Sequence, residues 1–226
     1  MTQNSTLSFE NATGTIDYPL TNDFIFRAVL QRNNQVLTAL IRSLLHIEAT
    51  DIQVEITNPI ELGEKFSDKD FILDIRVIIN KQQIIDLEMQ LSNDYKFFST
   101  YLLTNQKTGK IYSSKFCIHV VDLSRIDLAT EEDKHYQIDQ WAKLFKARTW
   151  EELYMIAKNN PDLLQACNDL YTINGDDILR QQARARADAE FWERNKNAKI
   201  KKLEDEIAEK NLLIAELRKQ LAEKQS

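Results

Sequence analysis

Two apolar runs in the middle of the chain alternate with polar residues in the pattern of paired β-strands. They cover residues 71–79 and 83–90 and are rich in β-branched side chains, which strands favour. The three residues between the runs allow a hairpin in which Ile79 pairs with Gln83. This register sets apolar side chains opposite one another, whereas a slip of one residue would set apolar against polar side chains.

The same register predicts a pair of carboxylates on the polar face of the hairpin. Arg76 faces Asp86, and Asp74 faces Glu88. Like charges directly opposite each other, with Cβ atoms about 5 Å apart, are destabilising. A divalent cation, a shared proton or solvent would offset the repulsion. Mg²⁺ prefers carboxylate oxygens and retains bound waters, so a metal site and a solvated face are both open on the pattern alone.

Outside the hairpin, the spacing of apolar residues predicts an α/β core followed by a helical region. The predicted elements are a helix over 22–46 capped by Thr21, a strand over 52–57, a loop over 60–69, a short helix over 95–104, a turn over 105–110 containing Gly109, a buried strand over 114–123, and helices over 130–146, 149–158 and 161–171.

A long helix that starts at Asp176 carries a heptad pattern near its end. Isoleucine at a positions with leucine at d positions favours a parallel two-stranded coiled coil. We therefore predict a homodimer through residues 200–221; the alternative is a single charged helix in solvent. The apolar a and d residues are Ile200, Leu203, Ile207, Ile214, Leu217 and Leu221, with Lys210 as the polar exception.

Composition narrows the classes of protein to which the chain can belong. The 226 residues carry a net charge of −6 and two cysteines, and no apolar run reaches the length of a membrane span. These features predict a cytoplasmic protein with no membrane contact. The acidic balance disfavours a protein held on nucleic acid by bulk charge, but it does not exclude a nuclease with local basic patches.

The histidines and cysteines suggest little further chemistry. His46, His119 and His135 do not have the spacing of a zinc site. Cys117 lies two residues before His119 on the same face of a predicted strand. A thiolate–imidazole pair is one interpretation, and a buried structural cysteine is the simpler one.

Several short motifs occur in a fixed order between residues 17 and 171. They are Asn22-Asp23-Phe24-Ile25-Phe26-Arg27, residues 69–74, Glu88-Met89-Gln90, Gly109-Lys110-Ile111-Tyr112 and residues 141–146. Together these motifs resemble the PD-(D/E)XK nuclease superfamily, in its branch of transposases and recombination-promoting nucleases. In that comparison Glu88-Met89-Gln90 is a Glu-X-Gln variant of Glu-X-Lys, and Gly109-Lys110-Ile111-Tyr112 is a Gly-X-X-Tyr motif.

The resemblance implies a restriction-endonuclease-like mixed sheet flanked by helices. It also implies that the protein is an endonuclease that hydrolyses DNA phosphodiester bonds with Mg²⁺ or, alternatively, Mn²⁺. Asp74 and Glu88 would bind the metal ion. Gln90 would orient the attacking water at the position where a lysine often stands. Asp23 is an additional acidic candidate, although a carboxylate at a helix N-terminus is also favoured by the helix dipole alone.

One departure from the family pattern follows Gln90. Family members place a longer helix between the Glu-X-Gln strand and the Gly-X-X-Tyr turn, so we predict an internal shortening here. Shortening would weaken the support around the carboxylates. The alternatives are a catalytically degenerate remnant acting as a coiled-coil interaction protein and, less favoured, a metal- or anion-binding regulator. The predicted domains are a tail (1–16), a nuclease-like core (17–123), a helical region (124–182) and a long helix with coiled coil (183–226).

Overall fold

A computed structural model describes residues 9–49, 51–59, 75–87, 96–113 and 116–224, with side chains described up to residue 215. The chain divides into two compact units, Met1–Ala183 and Arg184–Ser226. The first unit contains the sheets and most of the helices. The second consists of the greater part of one long helix.

Helices and small sheets make up the described chain, which confirms the α/β class. Two short 3-10 turns, at Phe9–Asn11 and Ile126–Leu128, accompany the regular elements. The elements are α1 Asp23–Arg32, α2 Asn34–Leu44, β1 Val54–Ile56, β2 Ile75–Ile79, β3 Gln83–Leu87, β4 Phe98–Leu102, β5 Cys117–Val121, α3 Glu131–His135, α4 Ile138–Lys146, α5 Trp150–Ala157, α6 Pro161–Gly175 and α7 Asp177–Lys224.

The described strands form two antiparallel sheets. One has the order β1-β2-β3, and the other pairs β4 with β5. The helices flank these sheets, as the family resemblance implies. The inner side chains of β2 belong to the same apolar core as the faces of α1, α2, α4, α5 and α6. The position of β2 is therefore set by the main core of the protein.

Tryptophan packing supports this core. Trp141 and Trp150 are 2% and 8% exposed, so both pack within the helical region. The indole N–H of Trp141 donates to Ser43 Oγ at 3.2 Å, and this bond joins α4 to α2. Phe26 of α1 meets Phe145 of α4 edge to face, with ring centroids 5.5 Å apart.

The first predicted helix is divided into two, which corrects the single helix predicted over 22–46. Asn33 adopts extended angles, φ −136° and ψ 108°, between α1 and α2. Its side-chain oxygen accepts the N–H of Gln35 at 2.9 Å, as an N-cap residue does. At the start of α1 the cap is Asn22, whose Oδ1 accepts the N–H of Ile25 at 3.1 Å, and not the predicted Thr21.

The helix predicted over 130–146 is also interrupted. Gln137 lies in the left-handed region, with φ 61° and ψ 20°, and separates α3 from α4. Thr130 and Asp133 form a capping box at the start of α3, as a threonine before an acidic turn favours. The left-handed residue lets the chain turn, and the apolar face of α4 then reaches the core.

Two strand predictions after the hairpin need correction. Residues 98–102 form β4 and not part of a short helix, because Phe98, Tyr101 and their neighbours pair with β5. Aromatic residues fit either element, and strand pairing decides. The strand predicted over 114–123 exists as β5, but it is not buried. Ile118 within β5 is 53% exposed, and Phe116, the residue before β5, is 56% exposed.

The last helix begins where the sequence predicts. The carboxylate of Asp176 accepts the N–H groups of Ile178 and Leu179 at 2.9 and 3.0 Å, and α7 continues to Lys224. The predicted turn at Gly109 is also confirmed: Gly109 has φ +68°, and its N–H donates to Asn105 O at 2.8 Å. None of the helices in the described ranges combines the length and apolar character that crossing a membrane requires.

The cap at Asn33 gives a test of the helix boundary. Asn33→Ala is expected to lower the free energy of unfolding by about 1 kcal/mol, because the N–H of Gln35 loses its acceptor. Asn34→Ala is the matched control, since this exposed neighbour lies in the first turn of α2 and alanine favours helix. Urea denaturation measures both variants. Equal losses in the two would contradict the division of the helix at Asn33.

Candidate active site

The β2–β3 hairpin has the register that the sequence predicts. Ile79 pairs with Gln83, Val77 with Ile85, Arg76 with Asp86, and Ile75 with Leu87. Ile75, Val77 and Ile79 are at most 3% exposed, so one face of β2 is in the core. The alternation of buried and exposed positions explains why only this register is stable.

The turn of the hairpin relies on two residues with positive φ. Asn80 and Lys81 have φ 48° and 58°, a conformation that asparagine tolerates better than most residues. The N–H of Gln82 donates to Ile79 O at 3.0 Å and closes the turn. Asn80 also exchanges hydrogen bonds of 2.9 Å with the backbone of Gln53, which ties the turn to the chain just before β1.

The other face of the hairpin is open to solvent. Arg76 and Asp86 form a two-bond ion pair, with Nε–Oδ1 2.7 Å and Nη2–Oδ2 3.0 Å. Their side chains are 57% and 49% exposed. The hydrogen bond from Arg76 is the main cause that holds the pKa of Asp86 below its ordinary value. A ligand from solvent can therefore reach this face.

Of the four predicted site residues, the structure describes only Asp23. Asp74, Glu88 and Gln90 lie outside the described residues, so their roles stay predictions. Asp23 is described: it occupies the first turn of α1 and its Oδ1 accepts the N–H of Phe24 at 2.7 Å. This contact fits a helix-entry residue, and a role for Asp23 at the metal ion also stays a prediction.

The start of β2, beside Asp74 in the chain, is held by the segment before it. Asn58 Oδ1 accepts the N–H of Arg76 at 2.8 Å. The N–H of Thr57 donates to the carbonyl oxygen of Arg76 at 2.8 Å. Both backbone groups of Arg76 are thus bonded to residues 57 and 58, and the entry of β2 has one defined position.

Arg27 connects this strand entry to α1. Its side chain is 1% exposed, although it is charged, and Nη2 donates to the carbonyl oxygen of Asn58. The contact Arg27–Asn58–Arg76 therefore links a buried helix to the first residues of β2. The sequence interpretation missed this role, although the signal was present: a single charged residue lies within the buried run Phe24–Leu30.

The Gly-X-X-Tyr segment forms a closed turn on the surface. Asn105 Oδ1 accepts the N–H groups of Lys107 and Thr108 at 2.9 and 3.0 Å, and Thr104 bridges to Ile111. Tyr112 is 81% exposed. The glycine of the motif is explained by the turn, in which Gly109 has positive φ. The tyrosine is exposed and can contact a ligand from solvent.

The histidines and cysteines were the other residues with possible chemistry. Within the described ranges, histidine, cysteine, aspartate and glutamate form no group of three or more that would hold a metal ion. His46 instead stacks on Tyr136, with centroids 4.3 Å apart. Cys117 corrects the prediction of a buried structural cysteine, because it is exposed, and its Sγ lies 3.3 Å from His119 Nε2.

A match to a protein family gives these features a context. The chain matches the family described as PD-(D/E)XK nuclease family transposase, over residues 20–99 and 92–200. These segments cover most of the chain, which therefore belongs to this family. No curated protein and no solved structure matches it. Membership carries a nuclease-like function and implies DNA binding, and such nucleases generally depend on divalent metal ions.

The buried arginine gives a test of the support under the site. Arg27→Ala is expected to lower the free energy of unfolding by about 2–4 kcal/mol, because packing is lost and Asn58 O loses its buried donor. Lys146→Ala is the charge-matched control: Lys146 is exposed in the last turn of α4, so its loss is expected to cost less than about 1 kcal/mol. Chemical denaturation compares them, and a cost for Arg27→Ala no larger than that of the control would refute the structural link.

Proposed function

We propose that this chain is a metal-dependent DNA endonuclease in which Asp74 and Glu88 bind a divalent cation. The carrying observation is the β2–β3 register, whose last described pair joins Ile75 to Leu87. Continued by one residue on each strand, that register would pair Asp74 with Glu88. The exposed Arg76–Asp86 pair lies two residues along the chain from each of them, so continued strands would set all four side chains on one face.

The donor chemistry fits a hard cation. Two carboxylates that face each other need an opposite charge between them, and Mg²⁺ or Mn²⁺ supplies one while accepting oxygen ligands. When bound, such an ion lowers the pKa of a coordinated water and stabilises charge on the phosphate. Gln90 would orient the attacking water by hydrogen bonding. An amide has no positive charge, so this role contributes less than that of the lysine it replaces.

The charges on the hairpin support a site that needs a bound cation to attract the DNA phosphate. Asp86 neutralises Arg76 on the exposed face, and the whole chain carries a net charge of −6. A DNA phosphate that approaches the hairpin therefore gains little from these two side chains. The cation held by Asp74 and Glu88 would supply the attraction that the surface lacks.

The segment after Gln90 bears on the alternative function. The two family matches overlap at residues 92–99, within the region where the sequence predicts a shortening. The shortening itself stays a prediction. If the chain is shortened here and loses a helix that supports the carboxylates in other family members, it is a catalytically degenerate remnant that acts, if at all, as a coiled-coil interaction protein. Metal binding without DNA cleavage would favour the third function, a metal- or anion-binding regulator.

The second part of the proposal is that two copies associate through α7. The apolar residues Ile200, Leu203, Ile207 and Ile214 are 43–58% exposed, and an exposed apolar seam gains from burial against a second helix. Two equivalent sites in one dimer would suit cleavage of both DNA strands. We place this dimer in the cytoplasm, where structural disulfides are rare and the two cysteines need not pair with each other.

Cleavage of supercoiled plasmid DNA tests the endonuclease proposal. Asp74→Ala and Glu88→Ala are each expected to reduce Mg²⁺-dependent nicking by about 100-fold or more, because the cation loses a ligand. Asp86→Asn is the matched control, since it changes a carboxylate on the same hairpin to a neutral amide. It is expected to keep the rate within about threefold, as exposed ion pairs contribute little.

Calorimetric titration with Mn²⁺ distinguishes the endonuclease from the regulator and from the degenerate remnant. The folded wild-type chain is expected to bind one cation, and either alanine variant is expected to lose that binding. Binding without cleavage would support the regulator. A folded chain with neither binding nor cleavage would support the degenerate remnant.

Sedimentation velocity at micromolar concentration tests the dimer. Ile207→Asp is expected to convert a dimer into monomers, because it places a charge on the a position of the seam. Leu212→Asp is the matched control: Leu212 is 73% exposed and occupies an f position, so its replacement is expected to leave the dimer intact. A wild-type chain that sediments as a monomer would remove this part of the proposal.

A further inference from the structure

A cysteine, a histidine and a threonine lie in line on the exposed β4–β5 sheet. Cys117 Sγ is 3.3 Å from His119 Nε2, and His119 Nδ1 is 2.9 Å from Thr100 Oγ1. Thr100 is the direct cross-strand partner of His119. Cys117 and His119 are two residues apart, so the pleat of β5 sets both side chains on one face.

Two arrangements of protons satisfy both contacts, because the hydroxyl of Thr100 can donate or accept. In the arrangement that matters for reactivity, Nδ1–H donates to Thr100 Oγ1, and Nε2 carries the lone pair that accepts the thiol proton of Cys117. In both arrangements Thr100 holds the imidazole ring in its orientation. A nucleophile, a base and a group that orients the base form the general pattern of an activated thiol.

The surroundings of His119 keep the imidazole in place. Its ring lies parallel to Phe98, with an interplanar angle of 2° and centroids 5.8 Å apart. Partial burial is the main cause that lowers the pKa of His119, and the nearby His46 adds to the effect. His46 itself lies beside Glu132, at 3.4 Å. The lowered pKa favours the neutral imidazole, which has a nitrogen lone pair that can accept a proton.

We propose that Cys117, with His119 as its base and Thr100 as the orienting group, is a reactive thiol site that forms mixed disulfides with small disulfide molecules. The Sγ proton passes to His119 Nε2, and the thiolate attacks one sulfur of the small disulfide. A new S–S bond forms at Cys117 while the original S–S bond breaks. The second half of the molecule leaves as a thiolate and takes the proton back from His119, so electrons and protons balance.

The second cysteine provides an internal comparison. Cys167 is fully buried in α6, and burial raises the pKa of its thiol to about 12. It has neither the access nor the ionisation that exchange requires. Cys117 has an exposed sulfur with a proton acceptor in contact, so the two thiols should differ sharply in reactivity.

Alkylation by iodoacetamide at pH 7, followed by intact mass measurement of the full chain, tests this site. One alkyl group per chain is expected to add rapidly to the wild type and to Cys167→Ser, and to be lost in Cys117→Ser. His119→Gln is expected to slow the reaction by about tenfold or more, since the amide cannot take the proton. Thr100→Val is expected to slow it less. In the variants that retain Cys167, protection of this buried thiol shows that the chain is still folded.

Oxidised glutathione is the probe for exchange itself. The wild type is expected to gain one glutathione by mass at Cys117, and a reductant is expected to remove it. Equal alkylation rates for wild type and His119→Gln, or no mixed disulfide at Cys117, would overturn the proposal.

Discussion

The register between β2 and β3 is the constraint on which the site depends. Three apolar residues of β2 are buried in the main core, and a slip of one position would turn them to solvent and move polar residues inward. The core therefore decides which residues face each other on the open side. Arg27, buried in α1, holds Asn58, and Asn58 holds the backbone of Arg76. A helix, a loop and a strand thus act together on the residues that adjoin Asp74.

Much of the fold could be predicted from local signals. The hairpin register follows from period-two alternation, and the starts of α5, α6 and α7 follow from side chains that accept helix N–H groups at Thr149, Asn160 and Asp176. The errors occurred where local signals were ambiguous. Asn33 is tolerated inside a helix and is also a good cap, so periodicity alone could not separate α1 from α2. Gln137 carries no sequence mark of its left-handed backbone.

At the candidate site, too, some contacts could be predicted from the sequence and others could not. Pairing of Arg76 with Asp86 could be predicted because it follows from strand geometry. The contact of Arg27 with Asn58 could not, since it depends on how α1 packs beside the start of β2. The exposure of β5 was missed for a related reason: its apolar sequence is typical of a central strand, but within the described residues it pairs only with β4. This exposure leaves the sulfur of Cys117 beside His119 and open to solvent.

Paramagnetic broadening by Mn²⁺ tests the central claim that the β2–β3 register assembles a cation site from Asp74 and Glu88. The amide signals of Ile75 and Leu87 adjoin these residues in the chain, and the amide of Ile173 in α6 serves as the reference. Substoichiometric Mn²⁺ is expected to broaden the first two signals selectively, and Glu88→Gln is expected to abolish the effect. Broadening that spares Ile75 and Leu87, or that is unchanged in Glu88→Gln, would contradict the account.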